Sequence, residues 1–356
     1  MAHKSLIGGT SYNISGGKSL ISGTSYNISK GRTLIDGTGY DIQFISIPPT
    51  YAMLYSDGDM VFQTGNIADS TKTLINEYST EFINSEYSDY QNISWYTNRN
   101  NIINVSFKNE ISFKTMKYWF FNASNLKYVN YSNFNINNVT SMGGTYSNCY
   151  NLTGSPVCGE NVTNMGETYY NCQNLTGSPV CGNNVTTMYI TYYNCQNLTG
   201  SPVCGEKVTD MGSTYRNCYN LTGSPVCGEK VTYIVRTYSN CYNLTGSPVC
   251  GNNVTNMAWT YYNCYNLTGS PVCGDNVTNM ESTYRNCYNL TGSPVCGNNV
   301  TTMFETYDNC INLTGSPVCG NNVTTMYYTY CNCYNLTGSP VCGEKVTNMA
   351  LTYINC

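Results

Sequence analysis

The chain is poor in charge and almost devoid of histidine. Asp, Glu, Lys and Arg make up 10% of its 356 residues, against roughly 25% in ordinary globular proteins. Its one histidine, His3, lies at the very start, which removes most His-dependent catalysis and His-ligated metal sites. Lys plus Arg number 16 against 20 acidic residues, a net charge of −4. With no basic cluster there is no electrostatic footprint for nucleic acid. No apolar run approaches the roughly 18 residues a membrane helix needs, so no membrane insertion is expected; the longest large-residue cluster is Tyr118-Trp119-Phe120-Phe121. The start, Met1 to Gly8, has a cation but no apolar stretch of signal length, which favours cytoplasmic synthesis. Cysteine is missing from the first 148 residues, yet all twenty lie between Cys149 and Cys356. That split predicts two regions built by different rules.

What is present is repetition. Cys149 recurs as Cys172, Cys195, Cys218, Cys241, Cys264, Cys287, Cys310, Cys333 and Cys356, at steps of 23 residues without one insertion. A second column, Cys158, Cys181, Cys204, Cys227, Cys250, Cys273, Cys296, Cys319 and Cys342, keeps the same period, and only Cys331 stands outside both. The unit reads Asn-Leu-Thr-Gly-Ser-Pro-Val-Cys-Gly, two variable residues, Val-Thr-x-Met, two variable residues, then Thr-Tyr-x-Asn-Cys-x. So strict a period signals a solenoid, in which stacked coils bury what one coil cannot. Met116, Phe120, Ala123 and Leu126 precede Met142, Tyr146, Cys149 and Leu152 by 26 residues, a first coil three residues longer. Ala123 holds the cysteine position, so that column is for packing first and for thiols second.

Within a coil, Leu152, Val162, Met165, Tyr169 and Cys172 form the expected core stripe. From Met165 the spacing +4, +7, +10 predicts one face of a short helical turn, and Leu152–Cys158 reads as the strand arm, with Pro156 at its end or at a bend. The structural ladder is thus Cys149, Cys172, Cys195, Cys218, Cys241, Cys264, Cys287, Cys310 and Cys333 beside Tyr169, Tyr192 and Tyr215. The fold class expected is mainly β with short helical turns.

A different repeat opens the chain. Lys4–Ile14 returns 14 residues later from Lys18 and again over Arg32–Ile42, each copy reading as two short strands about a Gly-containing turn. Residues 1–44 are the expected attachment module. Residues 45–113 form a β-rich intermediate domain and N-terminal cap, with a hairpin over Tyr51–Gln63 about Asp57-Gly58 and a strand through Ile103, Val105 and Phe107. Residues 114–356 are the stacked coils.

The segment Asn138-Val139-Thr140-Ser141-Met142, followed by Tyr146, Cys149 and Leu152, resembles the repeat of BspA-like leucine-rich-repeat surface proteins. The resemblance spans roughly residues 100–356 and implies a leucine-rich-repeat-like solenoid. Later coils depart from it: they lose three residues, Tyr stands for the usual Phe, and Gly-Ser-Pro-Val-Cys stands for the usual strand. The 14-residue repeats, followed by Ala52-Met53-Leu54-Tyr55-Ser56-Asp57-Gly58, resemble N-terminal modules of phage or prophage structural proteins from Gram-positive gut bacteria.

No catalytic constellation is legible. A nucleophilic cysteine needs a base beside it, and none accompanies the twenty. No phosphate loop is present, and neither an enzyme nor a cofactor is expected. The cysteines admit three readings: a buried ladder of reduced thiols, disulfides between or within coils, or metal, for which only Cys331-Asn332-Cys333 is close enough in sequence. The recurrent Asn-x-Thr triplets match the glycosylation acceptor but read as turn and capping residues.

The most informative differences between the copies lie at +1, +2 and +5 from the Met column. These are expected to lie opposite the core stripe as adjacent outer files. They supply the candidate ligand-binding residues Tyr189, Tyr193, Arg216, Arg236, Trp259, Tyr262, Arg285, Phe304, Tyr327 and Tyr328, a mixture typical of paratopes. Relaxed constraint at exposed sites is the bland alternative, but Thr153 and Ser155 stay fixed in every copy. The expected function is a non-enzymatic binder of a host cell-surface glycan or protein, on a phage-tail virion. A ligandless spacer or shaft is the alternative, as is a bacterial cell-surface adhesin. The pattern runs unchanged to Cys356, from which self-association through the C-terminal coil, or a longer chain, is expected.

Overall fold

The structure is a computed structural model that describes residues 49–80 and 89–356 and, within the first 48 residues, six short strands. The chain divides into two compact units, residues 1–48 and 49–356. In the first, β1 (His3–Ile7) pairs antiparallel with β2 (Thr10–Ile14), β3 (Lys18–Ile21) with β4 (Thr24–Asn27), and β5 (Arg32–Ile35) with β6 (Thr38–Asp41). These are the three repeated hairpins. The residues joining their strands lie outside those described, and the attachment role expected of this module has no structural test.

The second unit begins with a five-stranded sheet of order β11-β10-β8-β7-β9. Here β7 (Thr50–Tyr55) and β8 (Asp59–Thr64) form the expected hairpin, and β9 (Leu74–Ser79) lies antiparallel to β7. On the other side β10 (Asn104–Phe107) runs parallel to β8, and β11 (Tyr128–Asn130) parallel to β10. Parallel neighbours need a crossover, and the first coil supplies the one between β10 and β11. Phe62 of β8 stacks on Trp119 of that coil at 5.3 Å and meets Trp95 edge-on at 5.5 Å, so the sheet covers the first end of the stack.

From there the coils follow one another. A parallel bridge in each coil links Ser141, Asn164, Thr187, Asp210, Tyr233 and Asn256 in succession and continues to Asn348, with a second bridge between Val318 and Val341. Leu, Val, Met, Tyr and Cys of successive coils are buried in continuous columns, and the Tyr rings from Tyr146 to Tyr353 stack at 5.4–5.6 Å. The last coil leaves Val341, Met349, Leu351 and Ile354 exposed.

Two expectations need correction. The Met-to-Cys segment contains no helical turn. The N–H groups of Met165, Glu167, Tyr169 and Asn171 donate to the next coil's carbonyls at 2.8–3.2 Å, while those of Thr168, Tyr170 and Cys172 donate three residues back at 3.0–3.2 Å. It is a row of tight turns in which every second N–H is spent between coils. Glu167 and Asn171 are left-handed, with φ of 59° and 60°, which no α-helix tolerates. Among the described residues the helical pieces are 3₁₀ turns, Tyr90–Asn92, Tyr96–Asn101 and Ile136–Asn138, none of them in the 23-residue coils.

The second correction is to the strand arm. Leu152–Cys158 forms no regular strand: Gly154 turns the chain at φ 91° and Pro156 lacks a donor. One backbone bond, from Thr176 N–H to the Gly154 carbonyl at 3.0 Å, ties it to the next coil. The phenol of the Tyr column supplies what the ladder does not. Tyr169 Oη accepts from the Val157 N–H (2.9 Å) and donates to the Val157 carbonyl (3.0 Å). The same clamp recurs in every coil up to Tyr307, at 2.6–3.2 Å. Phe120 occupies this column in the coil that carries β10, where the sheet itself satisfies the backbone. Tyr therefore supplies, in the coils that lack a strand, the donor and acceptor a ladder would supply.

Candidate binding face

The residues framing the variable files are locked from below. The first-column cysteines from Cys172 to Cys333 donate their thiols to the preceding coil's Tyr carbonyls at 3.0–3.1 Å, and Cys149 donates to the Phe120 carbonyl. Thr168 Oγ1 donates to the Met142 and Met165 carbonyls. The Asn before each of these cysteines is left-handed, at φ 58–64°, and its amide bonds to its neighbour's, as from Asn171 Nδ2 to Asn148 Oδ1 at 2.8 Å. All twenty cysteines are free thiols. Burial pushes up the half-exposed second column, Cys158 to about 11 and Cys181 to about 12, so these thiols stay protonated and weakly nucleophilic at neutral pH. Each fills the space that the next coil's glycine leaves: a Cβ on Gly182 would lie 3.1 Å from Cys158 Sγ.

On this frame the structure brings the candidate residues into three contacting groups. Tyr193 stacks on Tyr170 at 5.1 Å with the Arg216 guanidinium 5.4 Å above it. Arg236 lies over Trp259 at 5.4 Å, Trp259 touches Tyr262 at 5.2 Å, and Arg285 covers Tyr262 at 5.9 Å. Arg285 also pairs with Glu305 (2.5 Å) and Asp308 (3.0 Å). Phe304 stacks on Tyr327 at 5.6 Å, and Tyr327 meets Tyr328 edge-on at 4.5 Å. Tyr189 stands apart, 45% exposed.

The files are less exposed than the sequence suggests. Trp259 is half-buried against Arg236 and Tyr262, Phe304, Tyr327 and Tyr328 are half-buried against one another, and the small members Gly212, Ala258 and Ser282 are buried. The Tyr233 ring lies against Gly212. The +2 file is left-handed throughout the cysteine-bearing coils, at φ 46° for Ile190 and 61° for Trp259.

A fourth file adjoins these three and was not expected from the copies' differences. Tyr219, Tyr242, Tyr265 and Tyr288 each follow a core cysteine and stack at 4.9–5.1 Å. Their occurrence in four consecutive copies was the available signal. Among the described residues no group of three or more His, Cys, Asp or Glu could hold a metal ion, and no helix is long and apolar enough to cross a membrane.

A model of the Kazal-type serine protease inhibitor domain matches residues 167–194, little more than one period of a coil that recurs along the stack. No curated protein matches the sequence. Among solved structures the chain is similar to a leucine-rich repeat protein from Eubacterium ventriosum, at 14% identity and a TM-score of 0.40, with 83% of each chain covered. It is also similar to a leucine-rich repeat protein from Bacteroides ovatus, at 14% identity and a TM-score of 0.39, covering 86% of this chain and 90% of that one. A leucine-rich cell surface protein from Faecalibacterium prausnitzii is likewise 14% identical, with a TM-score of 0.31 and 83% and 93% covered. At this distance the likenesses carry no argument about what the chain binds.

Proposed function

We propose that this chain is a non-enzymatic binding protein, a leucine-rich-repeat-like solenoid whose variable files contact a host cell-surface glycan or protein from a phage or prophage particle. The left-handed +2 file carries the reading. Glu167, Ile190, Ser213, Arg236, Trp259, Ser282, Glu305 and Tyr328 hold φ between 46° and 61°, where a side chain with a Cβ costs roughly 1–2 kcal/mol. Gly or Asn would relieve that cost, and the file before each cysteine, in the same conformation, is Asn in every copy. At +2 the chain instead keeps Ile, Arg, Trp and Tyr. Strain retained at one repeated position, bearing side chains that anchor interfaces, is the mark of a contact surface. A spacer without a ligand, the alternative use of such a stack, has no need of it; an adhesin on the bacterial cell itself would use the same face.

The test compares two variants with the parent chain on a panel of Gram-positive gut bacteria. Replacing Trp259, Phe304, Tyr327 and Tyr328 together by Ser is expected to abolish whole-cell binding with an unchanged circular dichroism spectrum. Replacing Ile190, Arg236 and Trp259 by Asn is expected to relieve the left-handed strain, stabilising the fold by up to about 1 kcal/mol per site and raising the melting temperature, while weakening binding at least tenfold. Undiminished binding in both variants sinks the proposal.

A further inference from the structure

We infer that the stacked tyrosines Tyr219, Tyr242, Tyr265 and Tyr288 form a comb that takes a neutral polysaccharide laid along the coils, one sugar unit per coil. The inference rests on reading this side of the stack as a binding face, and it names a ligand class for it.

The argument starts from what the four rings leave free. Stacked nearly parallel, 2–6° apart and 4.9–5.1 Å between centroids, they spend their faces on one another. Edges and phenol oxygens remain, and all four rings are only partly buried, Tyr288 being 38% exposed. Each tyrosine is followed by an exposed asparagine, Asn220, Asn243, Asn266 and Asn289. The amides of the last three stand 3.4–3.5 Å apart, a distance at which they hold one another weakly and keep donors and acceptors for a ligand. Neither file carries a charge over these four coils.

The comb is therefore a line of uncharged hydroxyls and amides at a constant step close to the length of one hexose in an extended chain. An anion would find no cation in it, and an extended peptide, rising about 3.3 Å per residue, fits no whole number of residues to each 4.9–5.1 Å step. A neutral glycan matches it unit for unit, each sugar hydroxyl exchanging a hydrogen bond with a phenol or an amide. The comb also adjoins the strongest cluster of the variable files. Tyr262 is in contact with Trp259; the phenol pKa values of Tyr242 and Tyr265 are raised first by burial, then by the neighbouring comb tyrosines, with Tyr262 contributing to both. Where glutamine holds the same position the file turns inward: Gln196 donates to Asn194 of its own coil at 2.9 Å. The comb thus occupies four coils and no more, bounded by Gln196 and Ile311.

Stacked tyrosines could serve stability alone, so the test separates ring from hydroxyl. The full chain is run by affinity electrophoresis through gels containing a β-glucan, an α-mannan or a galactan, with polygalacturonate as the charged control. The expected result is retardation by at least one neutral polymer and none by polygalacturonate. In Y219F/Y242F/Y265F/Y288F, which keeps every ring, retardation should fall at least tenfold with an unchanged melting temperature. Absence of retardation by all three neutral polymers, or retardation unchanged in the tetra-Phe chain, overturns the comb. Whole-cell binding is read in parallel. If it survives in the tetra-Phe chain and is lost in the W259S/F304S/Y327S/Y328S chain, the comb is refuted and the variable face stands. If neither variant loses cell binding, both readings fall.

Discussion

At the scale of the residue, Tyr238 shows how much one hydroxyl can hold. Its Oη accepts from the Val226 N–H at 3.0 Å and donates to the Val226 carbonyl at 2.6 Å, in an arm that makes little other backbone pairing. Tyr238→Phe keeps the ring stack and orphans both groups, at about 1–3 kcal/mol for each. Cys241→Ala gives up one weak thiol donor, to the Tyr215 carbonyl, at a position where the first coil already uses Ala123. It is expected to cost about 1 kcal/mol. Chemical denaturation should therefore show a clearly larger fall in midpoint for Tyr238→Phe, and equal falls would contradict the clamp. The sequence shows that both columns are core, because identity at a fixed period is enough to mark packing. It does not show the clamp, whose partner lies twelve residues upstream across the coil.

At the scale of the element, the turn row explains both a success and a failure of reading. Met165, Tyr169 and Cys172 are buried together, as the +4 and +7 spacing requires, yet the backbone is left-handed at every fourth residue. Side-chain periodicity reports which residues share a face and is blind to the sign of φ. The asparagine before each cysteine was the visible clue, since Asn tolerates that conformation better than most residues. The half-exposed thiol file along the neighbouring arm has its own consequence. Its folded-state values, about 11 for Cys158 and Cys227 and about 12 for Cys181, Cys250 and Cys296, lie above the ordinary thiol value of 9.0. Between those limits the folded chain holds protons that the unfolded chain has released, so stability falls as pH rises. Melting temperature should be nearly flat from pH 7 to 8.5 and drop progressively from about pH 9 to 12. Replacing this cysteine file by Ala should flatten the slope in part, the buried cysteine and tyrosine columns, both pushed up by burial, supplying the rest.

At the scale of the whole molecule, the fixed step is what the sequence displays most plainly. The coil boundaries, the longer first coil and the hairpin about Asp57-Gly58 are all visible without coordinates. The continuity of sheet and coils is not, because β10 and β11 look like isolated strands until their parallel pairing with β8 is seen; residues 49–356 are one compact unit. A stack held by nearest-neighbour contacts should tolerate loss of a whole period. Deleting residues 219–241 joins Cys218 to Tyr242 and leaves every column in register. That chain is expected to keep its circular dichroism per residue and melt within about 5 °C of the parent. Deleting residues 219–242 leaves one coil a residue short and is expected to melt far lower. Equal melting of the two would show that the register is not what holds the coils together.

The bridges and amide ladders linking one coil to the next also decide how the molecule yields to a pull. Every coil hangs on its neighbour through the same short set of bonds, so tension applied across the stack loads those sets in series and none is shielded by the others. Rupture then starts at an end, where a coil has one neighbour instead of two, and each failure frees a fixed length of about 76–83 Å of chain, 23 residues at 3.3–3.6 Å each. A particle or cell tethered through such a stack would lengthen in equal increments under load, as a ratchet pays out line, and would keep its grip while doing so.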